Sequence, residues 1–350
     1  MHEFLILSFC MIGLTIYSEK DKNMDKLYLA FFCTLFCLMA ALRGEWIGND
    51  THAYLELFKN IGYISFDEGF IYGRFEPGYL ALNKALYLVS DSPQIIVIFS
   101  SVLFYAVLFF FIKHNANKYC LAIIFFFVDS FFRFSMSAIR QSLAITILIT
   151  GMYFLTQRKF LIYFLFVAVA YSIHSSSIIA GVIYFLASFT WQKRTFIVVV
   201  VSSIVVALLG TFVQSAIVGF SDYSRYVGSI YDDGINVATI FLILMSLCCF
   251  LTMHFSYADG EKKDIFYRLE FVRLCILIIS MRLNAIDRLA EYFTLFEIVG
   301  MTNAICRYKN ANLKFWLVMG VVGGYIAYSY VWGVMRPEYQ MVWPYKTFWM

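Results

Sequence analysis

QIIVIFSSVLFYAVLFFFI (residues 94–112) decides the architecture. It holds no charged residue, and as a helix it would reach about 28 Å, close to the apolar thickness of a bilayer. Lys113 and Lys118 follow at once. An apolar helix closed by lysines reads as a membrane span whose lysine end faces the cytoplasm. Working outward, the same alternation of apolar run and basic loop predicts spans near 3–17, 27–42, 94–112, 119–133, 137–156, 160–173, 175–190, 195–218, 237–257, 269–283, 288–306 and 315–334. The expected fold is therefore all-α and polytopic, about 12 transmembrane helices, with residues 1–350 forming a single integral membrane domain.

Composition agrees. The chain is 61% hydrophobic and only 14% charged, with mean hydropathy +0.75. A net charge of +4 without a basic stripe argues against nucleic-acid binding. All eight cysteines lie in or beside apolar runs, without metal-ligand spacing, and read as small buried hydrophobes. No D-x-D and no other metal-ligand spacing occurs, so neither a metal nor a cofactor is expected. The first apolar run, Phe4–Tyr17, is followed rather than preceded by Lys20, Lys22 and Lys26. That is the reverse of a signal peptide and sets both termini outside.

Two stretches depart from simple spans. The sixth and seventh, on either side of His174, are short for a full crossing and suggest a hairpin that only partly crosses. Residues 79–90 are amphipathic, with Asn83 and Lys84 mid-segment; taken as a span they would reverse every later loop against the positive-inside rule. Residues 43–92 therefore read as a long first outer loop with an interfacial helix. Such a loop is also a feature of GT-C-type glycosyltransferases, an analogy at the level of fold.

With this threading, eleven of the fourteen Lys lie inside, whereas eight of the thirteen Arg lie outside: Arg43, Arg74, Arg133, Arg140, Arg225, Arg282, Arg288 and Arg336. Guanidinium groups suit bidentate binding of phosphate. Asp129–Arg133 reads as a local i, i+4 pair and, with Arg225, as headgroup anchoring. The others, at span mouths among aromatics, are candidates for the pyrophosphate of a lipid-borne substrate. Helix N-termini near Arg140, His174-Ser-Ser-Ser177 and Arg288 add positive dipole ends. Asp50 and Glu76, in turn-forming contexts beside an Arg, are candidate general bases together with His174, whose residue type titrates nearest neutrality. His174 equally suits a capping role. Deeper in the chain, antiparallel register of the tenth and eleventh spans predicts an Arg273–Glu297 ion pair of structural kind.

The same residues resemble a known family. Arg43 with Gly48-x-Asp50-Thr51-x-x-Tyr54, then Phe75-Glu76-Pro77-Gly78-Tyr79, Arg140-Gln141-Ser142-x-Ala144, His174-Ser175-Ser176 and Arg288-x-x-x-Tyr292-Phe293 are similar in order to motifs of the EpsG-like family, with Pro344-Tyr345 fitting loosely. That family belongs with the Wzy-type polymerases of O-antigen, capsule and exopolysaccharide. The resemblance adds Gln141 and Tyr292 to the substrate-binding candidates. It implies a multi-pass glycosyltransferase of the bacterial inner membrane, extending undecaprenyl-pyrophosphate-linked oligosaccharides at the outer face and meeting a chain-length regulator. A lipid-linked oligosaccharide flippase or an O-antigen ligase is the alternative.

Overall fold

The computed structural model describes residues 1–18, 21–64, 75–129, 131–209, 237–257, 264–283, 286–335 and 342–350. Among these the chain is all-helical, with one isolated antiparallel bridge between Arg43 and Thr347. It is a multi-pass membrane protein. Every predicted span coincides at least in part with a helix, and the exact count of twelve crossings is not confirmed. Among the described residues, five helices are long and apolar enough to cross, or six if one bent pair counts as a span.

Two compact units divide the chain, residues 1–183 with 325–350 and residues 184–324. The first begins with α1 (His2–Ser18) and α2 (Lys22–Ala41). Two short helices follow, α3 (Thr51–Asn60) and α4 (Pro77–Tyr87), then the long α5 (Gln94–Asn115). The bent pair comes next, α6 (Tyr119–Val128) and α7 (Phe131–Ser137), followed by α8 (Ile139–Thr156) and α9 (Phe160–Ile173).

The amphipathic stretch after residue 78 is α4, as its pattern required. Its buried Tyr79 and Leu80 join Tyr54, Leu55 and Phe58 of α3 in one apolar cluster. Ile96 and Val97 of α5, Ile139 and Leu143 of α8 and Ile173 of α9 also belong to it. Each large side chain buried there contributes about 1.5–3 kcal/mol. This cluster fixes the start of α4 over the start of α8 and the end of α9. Gly78 makes the approach possible: a Cβ there would stand 2.7 Å from the Ser172 carbonyl oxygen.

The predicted 119–133 span is not one helix. α6 and α7 meet at 59°, so Asp129 and Arg133 do not form an i, i+4 pair within one helix. Arg133 is not a headgroup anchor either. It is buried, donates to the Ser329 hydroxyl at 3.1 Å and lies 5.8 Å from the Phe4 ring. The short hairpin around His174 is present as α9, 14 residues, and α10 (Ser177–Ala187), 11 residues, both shorter than a straight crossing requires.

The second unit contains α11 (Lys193–Leu208), α12 (Val237–Ser256), α13 (Ile265–Ser280) and α14 (Asp287–Arg307). The antiparallel α13–α14 pair places Arg273 against Glu297 at 2.8 Å, with side chains 4% and 3% exposed, as the register predicted. Arg273 Nε also donates to the Thr294 hydroxyl at 3.4 Å, and that hydroxyl donates to Glu291 at 3.2 Å. The last helix, α15, runs Ala311–Met335.

Candidate functional site

The first unit gathers Glu76, Arg140 and His174 at one point. Glu76 is the N-cap of α4, yet its carboxylate makes no capping bond. Pro77 at the first helical position needs no acceptor for an N–H, which leaves the carboxylate available for other partners. Its Oε2 accepts from Arg140 at 2.5 Å, at the first turn of α8. Its Oε1 meets His174 Nδ1 at 3.2 Å and accepts from the Ser175 backbone N–H at 3.0 Å and hydroxyl at 3.3 Å.

His174 is the C-cap of α9, in an extended conformation that turns its ring toward Glu76. Arg140 is steered from the other side. Its Nε donates to the Tyr54 hydroxyl at 3.5 Å, and its guanidinium lies 5.0 Å from the Phe75 ring and 5.8 Å from the Tyr54 ring. Such contacts are worth roughly 1–2 kcal/mol when partly desolvated. The three side chains remain accessible, 18% for Arg140, 17% for Glu76 and 23% for His174. A ligand can therefore reach them.

Burial alone would raise the Glu76 pKa. The His174 hydrogen bond, the Arg140 guanidinium and the Ser175 N–H outweigh it and hold the carboxyl at about 2. The ordinary value is 4.5, so the carboxylate's contribution is complete above that pH and is lost as pH falls toward 2. The depression corresponds to roughly 3 kcal/mol. Glu76→Gln should accordingly be less stable than wild type at pH 7. The difference should shrink between pH 4.5 and 2 in thermal unfolding of detergent-purified protein. A gap that stays constant across that range would contradict the network.

The other candidate residues lie elsewhere. Arg43 is 1% exposed. It donates to the carbonyls of Ala40 and Met136, the latter at 3.0 Å, and contacts Thr51 and Ser101 hydroxyls at 3.4 Å. Burial brings its pKa down to about 10 against the pull of nearby tyrosines, so it stays charged at neutral pH. Gly48, at φ +82°, passes the same Met136 carbonyl; a Cβ would lie 2.7 Å from that oxygen. Arg43 thus ties the 43–51 turn to the α7–α8 junction, and it is not part of the Glu76 group. The Pro344-Tyr345 tail closes on the same region: Gly44 N–H donates to Lys346 O at 2.9 Å, and the Tyr345 hydroxyl donates to Met39 O at 2.7 Å.

Asp50 is the N-cap residue of α3 and makes no side-chain capping bond. Gln141 is buried beside Arg140 in sequence. Arg282, in the turn after α13, and Arg288, in the first turn of α14, are exposed residues of the second unit. Tyr292 there is fully buried, and its carbonyl accepts from the Tyr184 hydroxyl. Arg74 and Arg336 lie outside the described residues, as does Arg225. Among the described residues, no three His, Cys, Asp or Glu side chains stand close enough to hold a metal ion.

Tyr54, Phe75 and Ser175 complete the site, and sequence alone does not single them out as ligands. Their only signal is membership of the motifs that carry Asp50, Glu76 and His174. A model of the EpsG family matches residues 26–347. The chain belongs to the EpsG family. The Glu76–Arg140–His174 group and the Arg43 clamp both lie within the matched span. Membership makes this a membrane protein of polysaccharide biosynthesis. No curated protein and no solved structure matches the chain.

Proposed function

We propose that this EpsG-family protein is an inverting polymerase of undecaprenyl-pyrophosphate-linked repeat units for O-antigen, capsule or exopolysaccharide. It would work at the outer face of the bacterial inner membrane, with both termini outside. The observation that carries the reading is the accessible Arg140–Glu76–His174 group, set by family motifs at the start of one apolar helix and the end of another.

Glu76 is a poor base, because a carboxyl held near 2 takes a proton poorly at neutral pH. Its geometry suits an orienting role. With Glu76 against Nδ1, the opposite ring nitrogen of His174, Nε2, is the position for a base. In this reading the acceptor sugar hydroxyl attacks the anomeric carbon of the donor glycan and gives its proton to His174 Nε2. The glycosidic C–O bond forms as the bond to the pyrophosphate oxygen breaks. The electron pair leaves with undecaprenyl pyrophosphate, whose growing charge meets Arg140. Arg43 and Asp50 fall to the frame around this centre. Arg282 and Arg288 are exposed cations suited to lipid phosphate on their own unit, and a chain-length regulator is the expected partner.

Deletion of the gene with complementation tests the activity. The reading expects single lipid-linked repeat units outside and no long glycan, restored by the wild-type gene. Repeat units held on the cytoplasmic side would indicate a flippase. Full-length polymer that is never attached to its final acceptor would indicate a ligase.

A further inference from the structure

At the far end of α2 and α5 from Arg43, the first unit carries an open cavity of about 340 Å³. Asn23, Lys26, Leu27 and Ala30 of α2 line it, spaced so that they share one helix face. Phe109 and Lys113, one turn apart on α5, form the other wall. Because the two helices run antiparallel, both lysines stand at the same end. The Lys113 ammonium folds back to 5.6 Å from the Phe109 ring centre. Leu27 is 60% exposed, so the apolar floor opens outward from the helix pair.

The charge balance is one-sided. Among the described residues, no carboxylate lines the cavity. Asp25, the nearest acid along α2, is buried on another face, where it accepts the N–H groups of Tyr119 and Cys120, both at 2.8 Å. It is thereby committed to the start of α6. Asp21 caps the start of α2 in sequence without a side-chain bond and does not line the cavity. The first turn of α2 adds the positive end of its dipole. Both helices are long and apolar, which puts this basic end at the boundary between hydrocarbon and headgroups.

We propose that the cavity binds the phosphate headgroup of an anionic phospholipid. Lys26 and Lys113 hold the phosphate, and an acyl chain lies along Leu27, Ala30 and Phe109. The apolar floor is what favours a lipid over free phosphate, because an inorganic ion has nothing to place there. The site is separate from the Arg140 group and does not depend on the reaction assigned to it.

The test uses the full chain in neutral detergent, its thermal unfolding followed with phosphatidylglycerol, phosphatidylcholine or inorganic phosphate. Phosphatidylglycerol should raise Tm by roughly 5 °C, while the other two leave it unchanged. Lys26→Gln with Lys113→Gln should remove the shift, and Lys26→Arg with Lys113→Arg should keep it. The headgroup comparison stands on wild type alone if the glutamine pair does not fold. An equal shift with phosphatidylcholine, a shift with inorganic phosphate, or an undiminished shift in the glutamine pair would each overturn the proposal.

Discussion

Arg140→Ala is expected to abolish long-chain polymer while single lipid-linked repeat units are still made. Arg140 is the cation that Glu76, Tyr54 and Phe75 jointly aim. A preorganised donor at a developing charge contributes about 10²–10³ in rate, because water is scarce there and the donor needs no reorganisation. Arg140→Lys should recover part of the activity. Lysine keeps the charge but loses the planar fork that serves Glu76 and Tyr54 together. Gel profiles of glycan from a deletion strain carrying each variant, with protein levels matched, read the effect. Wild-type chain lengths from Arg140→Ala would remove Arg140 from the chemistry.

Arg273→Ala should cost more in folding than either Arg140→Ala or Glu76→Gln. Its partner Glu297 is 3% exposed, and breaking a buried pair from one side leaves an uncompensated charge, typically costing about 3–5 kcal/mol. The yield of monodisperse protein and its Tm should both drop. Replacing both partners, Arg273→Met with Glu297→Leu, should recover most of the loss, because the desolvation cost of both charges disappears with them. Activity in the recovered variant should stay close to wild type, as the pair's role is structural. If the single variant purifies like wild type, the pair does not hold α13 to α14.

The two arginines Arg273 and Arg43 contrast in how they can be read from sequence. Arg273–Glu297 follows from counting residues back from one antiparallel turn, so only local information is needed. Arg43 cannot be read this way. One of its two carbonyl partners, Met136, is 93 positions away, and nothing in the charge pattern distinguishes a guanidinium facing a ligand from one facing buried carbonyls. Arg133 misleads for a related reason. The break after Val128 turns α7 away from α6, and no glycine or proline stands between them to signal it.

The candidate site was half legible. Run lengths and lysine placement read Arg140 and His174 at span mouths and Glu76 in a turn of the first outer loop, all on one side. Their convergence on Glu76 was not visible, because it depends on α4 packing its Tyr79 face over α8 and α9. Gly78, which permits that packing through its closeness to Ser172, looks like an ordinary turn glycine in sequence. The helical architecture itself was plain from the length of the apolar runs. The number of crossings was not, since helices as short as α9 and α10 are apolar without being long enough.

Extension of a synthetic undecaprenyl-pyrophosphate-linked repeat unit by the purified protein in liposomes tests the central claim most directly. Wild type should yield a ladder of longer lipid-linked glycans with an inverted new linkage. Arg140→Ala and His174→Ala, both folded, should yield none above background. Equal ladders from wild type and both variants would contradict it.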